Sequence, residues 1–361
     1  MKSKVGKNIF SRKPQNRPDP IRIVYLYSDN CFMIHPLPKI SILVPARNEE
    51  ENLPVLLKSL EGLVYPKEKT EILLGNDDSD DRTGELMEEF SRTHPYVKVV
   101  HLRAHEEDAL TGKTRVLDQL AARATGEYLF FTDADIALPP HWITGMLAGF
   151  GPGTGVVVGA TGFRRKSLWA ILQGIEWLMA LSIFKMAADL GRPSTGLGNN
   201  MAVSRKAYEA VGGYRTIGFS IVEDYWLYKK IIEAGFGFRH LLSPEILAFT
   251  VPPLRYFEQR RRWISGAMQN APAAMAGGIL QALCIPLLFL LGLISPWIPA
   301  MVTGLLVIIY CGLIIYFQQK LRIRGYLRYL LPFTLYISGA WLMQFIYYLL
   351  SRETVWKGRK Y

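Results

Sequence analysis

The chain has 361 residues, half of them hydrophobic, with a formal net charge of +11. That length holds one large domain plus additional elements. The charge alone would fit nucleic acid, but no nucleic-acid motif is present and many basic residues flank apolar segments. Attraction to anionic lipid and the positive-inside bias explain that placement, and nucleic acid is excluded as a partner. Along the chain, Met1 to Pro20 is basic and polar without an apolar h-region, so residues 1–38 are expected to be a tail and not a signal peptide. Lys39–Pro45 is a short buried-type strand closed by proline. Asn48–Leu60 shows helical apolar spacing with three acidic residues in its first turn. Strand, helix and strand follow over Thr70–Gly75, Thr83–Thr93 and Val97–Leu102, then a helix over Lys113–Ala124 and a strand over Glu127–Thr132. Such alternation predicts an α/β fold with a doubly wound, mostly parallel sheet over residues 39–270. Ligands of such sheets bind beyond the carboxyl ends of the strands, where Pro45-Ala46-Arg47, Asp77 and Asp133-Ala134-Asp135 all fall.

Ser167–Leu190 is apolar and aromatic, but Gln173, Glu176 and Lys185 interrupt it. It makes a poor membrane span. An interfacial or acceptor-lining helix and a core helix of the catalytic domain are both open readings. Residues 271–361 form a membrane-type region. Ile279–Phe317 is too long for one span and is broken by Ser295-Pro296 and Pro299, giving spans at about 279–295 and 298–317, with a third candidate at 330–350. Lys320, Arg322, Arg324 and Arg328 form a basic loop that the positive-inside rule puts in the cytoplasm. The first two spans make a hairpin, which places the catalytic domain on the same side, in a multi-pass protein of the cell membrane. The tail, with Arg352, Lys357, Arg359 and Lys360, is also basic. Either the third segment stops short of crossing or the rule fails there. Three cysteines, Cys31, Cys284 and Cys311, form no CxxC pair, so no oxidising compartment is needed. Six histidines without HxxxH spacing argue against zinc.

The chemistry is carried by acidic and basic motifs. Asp133-x-Asp135 follows an apolar strand, and two carboxylates at i and i+2 can hold a hard divalent cation, Mn²⁺ or Mg²⁺, that bridges diphosphate oxygens. Asp77 can accept from a uracil imide or a ribose hydroxyl, while its neighbours Asp78, Asp80 and Asp81 also fit turn and cap roles. Glu223-Asp224 opens a helical stretch. A carboxylate arriving from a segment apart from the metal site suits a general base, and first-turn stabilisation of a helix is the competing reading. In Gln259-Arg260-Arg261-Arg262-Trp263, Arg262 can hold diphosphate and Trp263 can stack near the acceptor, whereas Arg260 and Arg261 also fit a basic patch at the membrane interface.

Taken in order, these residues resemble family-two inverting glycosyltransferases of the GT-A fold. The segments are Val44–Glu49, Asn76–Thr83, Gly112-Lys113, Asp133–Asp135, Glu223-Asp224 and Gln259–Trp263, and the resemblance covers roughly residues 39–270. It implies donor and nucleotide contacts from Pro45, Arg47, Glu49, Asp77, Lys113, Asp133, Gln259 and Arg262, a metal ligand in Asp135, and Asp224 as general base. Glu223 and Trp263 fall on the acceptor side. The chain departs from the family pattern at Asp78, where Gly is usual, and at Asn76, where Asp is frequent. The ending Val355-Trp356-Lys357-Gly358-Arg359-x-Tyr361 is similar to that of carotenoid- and hopanoid-associated bacterial members, which act on lipid-like acceptors. The expected reaction is transfer of a sugar, UDP-linked, from a nucleotide diphosphate donor to a membrane-associated lipid-like acceptor. A processive polysaccharide synthase is the alternative, and such synthases usually carry spans before the catalytic domain, where no apolar stretch is seen. A sugar nucleotidyltransferase would want a Gly-rich loop after the first strand, where Pro45-Ala46-Arg47-Asn48 stands instead. A non-catalytic subunit is disfavoured by intact Asp135 and Asp224.

Overall fold

A computed structural model describes residues 37–103, 110–218, 220, 222–253, 256–270, 272–351, 355–356 and 359–360. The tail expected over residues 1–38 lies almost wholly outside them. The first half is built from β1 (Ile40–Ala46), α1 (Leu53–Glu61), β2 (Thr70–Asn76), α2 (Thr83–Thr93), β3 (Val97–His101), α3 (Gly112–Arg123) and β4 (Tyr128–Phe131). Every residue of β1 and β2 is buried, as parallel strands covered on both faces require. After α4 (Trp142–Leu147) come β5 (Thr154–Val158), β6 (Ala160–Phe163), α5 (Leu168–Asp189), β7 (Met201–Ser204), α6 (Arg205–Ala210), α7 (Gly213–Ile217), α8 (Glu223–Glu233), β8 (Gly237–His240) and β9 (Leu247–Thr250).

The main sheet has seven strands in the order β3-β2-β1-β4-β7-β5-β8. β1 pairs in parallel with β2 and β4, β2 with β3, and β5 with β8, while β7 runs antiparallel to both β4 and β5. The expected mostly parallel α/β sheet is thus observed, with one reversed strand, β7, between β4 and β5. α1 begins at Leu53 and not at Asn48, because Asn48 takes a left-handed backbone (φ 52°) that no right-handed helix accepts. A second parallel pair, β6 with β9, stands apart from the main sheet, and Ala137 bonds Phe249 in both directions (2.7 and 3.0 Å). This second pair carries Thr250 to the carboxyl end of β4.

The remaining helices are α9 (Tyr256–Asn270), α10 (Pro272–Ala282), α11 (Cys284–Ile294), α12 (Trp297–Leu321) and α13 (Leu330–Leu350). Among the described residues three helical stretches, Leu168–Asp189, Trp297–Leu321 and Leu327–Leu350, are long and apolar enough to cross a membrane. The segment expected as a span over 279–295 is two helices meeting at a 56° bend, and counting that pair as one span gives up to four. α5 is more than half buried against the rest of the protein, and it packs on β6, β8 and α12. α12 is lipid-like on its surface instead, with Trp297 and Met301 each 75 % exposed.

Candidate active site

The loops after β1 and β2 interlock through backbone donors. Asn48 N–H donates to Ser79 Oγ (3.1 Å), Glu49 N–H to Thr83 Oγ1 (2.7 Å) and Glu50 N–H to Asp81 Oδ2 (3.0 Å); in return Asp80 N–H donates to Asn48 Oδ1 (3.1 Å). Asp81 also accepts from Thr83 N–H (2.9 Å), but the capping position of α2 is Arg82 and not Asp81. Asp78 adopts φ 53°, so the position where the family pattern has glycine keeps a left-handed backbone, which aspartate tolerates better than most residues. Asn76 accepts from Ser79 N–H (3.1 Å) and bonds His101 (3.1 Å), which explains the amide where aspartate is frequent. Pro45, next to last in β1, lies opposite Gly75 of β2. Arg47 donates to the Asp77 carbonyl (2.8 Å), and the Asp77 carboxylate, buried, accepts from Arg115 of α3 (2.6 Å). Arg115 also donates to the Arg103 carbonyl.

Lys113, from the first turn of α3, is the hub of the carboxylates. Its Nζ lies 2.7 Å from Asp133 Oδ1 and 3.0 Å from Glu223 Oε1. Burial alone would lower its pKa, but Asp133, Glu223 and Asp224 outweigh that and raise it above the ordinary lysine value. Burial raises the Glu223 carboxyl while Lys113 opposes that shift. Asp224 is oriented by backbone donors: Gly198 N–H to Oδ2 (2.7 Å) and Tyr225 N–H to Oδ1 (2.8 Å). A Cβ on Gly196 would meet the Asp224 carbonyl oxygen at 2.4 Å, so only glycine lets this loop approach the start of α8. Glu223, expected on the acceptor side, shares Lys113 with Asp133.

Asp135 accepts from Thr250 Oγ1 (2.8 Å). Burial first, then the Asp133 charge, push its carboxyl up to about 6, with Glu49 adding to the rise. Two carboxylates that repel each other in a shielded place are relieved by a cation. Among the described residues no group of three or more His, Cys, Asp or Glu converges as a metal site. Asp133 and Asp135 are the two carboxylates that would hold a hard cation here.

α9 carries the last motif. Gln259 is partly buried and its Oε1 has no partner. Arg260 does not form an interfacial basic patch. It makes a two-pronged pair with Glu176 of α5 (2.7 and 2.7 Å), and it lies over the rings of Tyr256 (5.0 Å) and Trp263 (5.5 Å). Tyr336 of α13 donates to the same Glu176 carboxylate (2.9 Å). Trp263 stacks on Trp177 with centroids 4.9 Å apart. Arg261 donates to the Tyr348 carbonyl (2.9 Å). The side chain of Arg262 lies outside the described residues. Arg115, Thr250, Gly198 and Glu176 were not singled out for chemistry from sequence. The only local signal was Gly196-Leu197-Gly198-Asn199-Asn200, a turn-like run beside an apolar helix.

The family model described as Glycosyl transferase family 21 matches residues 28–361, and the chain belongs to that family. The motif resemblance, read above as family two, is thereby refined to family 21. "Probable glycosyltransferase YdaM" of Bacillus subtilis is 30% identical over 244 residues, covering 64% of this chain and 55% of that protein. "Beta-monoglucosyldiacylglycerol synthase" of Synechocystis is 27% identical over 244 residues, 65% of this chain and 49% of that protein. The chain spans about half the length of the curated relatives it matches. Among solved structures, the mannosyltransferase PcManGT of Pyrobaculum calidifontis, in complex with GDP-Man and Mn²⁺, superposes with a TM-score of 0.50 at 18% identity over 87% of both chains. That likeness gives the fold, which is GT-A-like as the sequence predicts.

Proposed function

We propose that this family 21 glycosyltransferase is membrane-bound and moves a sugar from a nucleotide diphosphate sugar, UDP-linked, to a hydroxyl of a membrane lipid with inversion at the anomeric carbon. The observation that carries the reading is Lys113 holding Asp133 and Glu223 together while Gly198 N–H fixes Asp224 alongside. Donor-side charge and a separately held carboxylate are what in-line displacement needs. Asp224 takes the proton of the acceptor hydroxyl as its oxygen bonds to the anomeric carbon and the bond from that carbon to the diphosphate breaks. Two backbone donors, Gly198 N–H and Tyr225 N–H, fix the direction in which its carboxylate points. Lys113 balances negative charge on the donor side. Asp133 and Asp135 are the residues that would hold Mn²⁺ or Mg²⁺, and such a cation supplies charge stabilisation to the departing diphosphate. Asp77, Arg47 and Arg115 shape the nucleoside end, and Pro45 and Glu49 close it from the β1 loop. Gln259 and Arg262 serve the donor, and Trp263 the acceptor.

The names of the relatives favour a glycerolipid hydroxyl over the carotenoid- or hopanoid-like acceptor implied by the C-terminal ending. The test is purified full-length protein in phosphatidylglycerol vesicles containing dioleoylglycerol, given UDP- and GDP-sugars with Mn²⁺ or with EDTA. A glycosylated lipid formed with Mn²⁺ and absent in EDTA is the expected result. A growing polymer in place of a single-sugar lipid would favour the processive alternative, and nucleotide release from no donor would overturn the reading.

A further inference from the structure

Two basic groups far apart in sequence form one surface. The junction of β6 and α5 carries Arg165 and Lys166, and the turn from α12 to α13 carries Lys320, Arg324 and Arg328, all exposed. Arg165 Nη2 donates to the Arg324 carbonyl (2.9 Å) across 159 positions of sequence, and its guanidinium lies over the Tyr326 ring (3.8 Å). Gly325, at φ 87°, gives the turn the left-handed step that brings this carbonyl and this ring under one arginine. The sequence holds no acidic residue between Asp135 and Glu176, nor between Glu258 and Glu353. Asp189, whose charge reaches Tyr316 of α12, is already paired with Lys185. Among the described residues none of the five cations pairs with a carboxylate.

The positive-inside bias accounts for cations in a turn between two apolar helices. It does not account for Arg165 and Lys166. They precede a helix that is more than half buried in the protein, and a hydrogen bond and a ring contact fold them onto the turn. Like charges gathered on one face repel, and an anionic partner relieves them. Exposed Leu168 follows the first group and exposed Leu327 lies within the second. Cations beside bare apolar side chains mark the level where hydrocarbon ends and headgroups begin, and the anions of that level are lipid phosphates.

We propose that this two-part surface binds the phosphates of anionic glycerophospholipids in the leaflet facing the catalytic domain. Guanidinium groups suit that partner because their planar fork matches two phosphate oxygens at once. The junction also leads into the candidate site. Arg164 N–H donates to the Thr250 carbonyl (2.9 Å), and Thr250 Oγ1 donates to Asp135. A lipid phosphate held by Arg165 and Lys166 therefore seats the strand pair that positions Asp135 against the membrane surface.

The test reconstitutes the full-length protein in phosphatidylcholine nanodiscs with a trace of acyl-pyrene phosphatidylglycerol or acyl-pyrene phosphatidylcholine. Energy transfer from the protein's tryptophans reads how far each lipid gathers around it. Phosphatidylglycerol should be preferred, and the preference should weaken as salt is raised. The variant combines Lys166→Gln, Arg324→Gln and Arg328→Gln, which leaves Arg165 and the Arg324 carbonyl in place. Each cation near an anionic surface is worth about fivefold, so losing three should cut the preference by about a hundredfold. A control removes the same charge from α1, α2 and α3 through Lys58→Gln, Arg92→Gln and Arg123→Gln, and should keep the preference. Equal gathering of the two lipids in the wild type would overturn the proposal, as would a preference that survives the first variant or is lost equally in the control. Displacement of the labelled phosphatidylglycerol by inorganic phosphate would make the occupant a soluble anion and overturn it too. No donor or acceptor enters the measurement, so its outcome is separate from that of the proposed transfer.

Discussion

At the residue scale, the candidate base and the candidate metal carboxylates make separable predictions. General-base catalysis contributes about 10²–10⁴-fold, so Asp224→Asn should lose transfer by that much while calorimetry finds donor affinity unchanged. Near-normal transfer by this variant would move the role to Glu223. Gly198→Ala tests the same group from outside. The added Cβ would sit 3.1 Å from Asp224 Cβ and 3.5 Å from Lys113 Nζ, so kcat should fall with little change in donor KM. Asp135, raised to about 6, must give up its proton to hold a cation. Mn²⁺ affinity should be level above that pH and fall by about tenfold for each unit below it, and Asp135→Asn should abolish the dependence. Calorimetric titration between pH 5 and 8 reads this out directly. The acidic motifs were legible in the sequence because each is a short run at a strand or helix end. Their partners were not. Thr250 is 115 residues from Asp135, and Arg115 is 38 from Asp77, so chain folding alone brings these side chains together.

At the element scale, strands and helices of the first half follow apolar periodicity, so their existence was readable; strand direction was not. Nothing in Met201-Ala202-Val203-Ser204 distinguishes an antiparallel strand from its parallel neighbours. The loop from Gly191 to Asn200, which delivers Gly198 to Asp224, is pinned by a buried polar cluster. Ser194 Oγ lies 3.2 Å from His240 Nε2, which lies 3.3 Å from the Tyr228 hydroxyl. Burial, then the charge of Lys185, hold His240 down at about 4, against an ordinary value of 6.5, with Asp189 opposing. The sign follows. The unfolded chain binds the proton first, so this contribution to stability is complete above pH 6.5 and is lost as the pH falls towards 4. The loss amounts to about 3 kcal/mol once the pH is below both values. His240→Gln keeps a hydrogen-bonding group and cannot titrate there. Its Tm between pH 7 and pH 4.5 should fall less than that of the wild type, and equal falls would remove His240 from the account.

At the scale of the whole molecule, the question left open by the sequence was whether the third apolar segment crosses the bilayer. The basic turn before α13 is fastened to the catalytic domain, because Arg165 donates to the Arg324 carbonyl (2.9 Å) and lies over the Tyr326 ring (3.8 Å). α13 has 21 residues, about 30 Å of helix, so a crossing would carry its last turn to the opposite leaflet. Yet that turn keeps touching α9: Arg261 donates to the Tyr348 carbonyl, Phe257 and Tyr347 pack with rings 5.4 Å apart, and Gln344 donates to the Phe257 carbonyl (3.4 Å). A crossing helix would drag the guanidinium of Arg261 and the Glu176–Arg260 pair into the hydrocarbon, where charge is costly. An arrangement along the interface avoids that, with Leu331, Leu335 and Leu350 (69, 80 and 78 % exposed) turned to lipid. Residue 351 and the basic tail should then share the cytoplasmic side with the catalytic domain, which agrees with the positive-inside rule. The measurement is impermeant maleimide labelling of intact cells in a background without Cys31, Cys284 and Cys311. Ser295→Cys, between α11 and α12, should label from outside, whereas Arg328→Cys and Ser351→Cys should label only after permeabilisation. Labelling of Ser351→Cys on intact cells, with Arg328→Cys still protected, would mean that α13 crosses and that its contacts with Arg261 are made within the membrane.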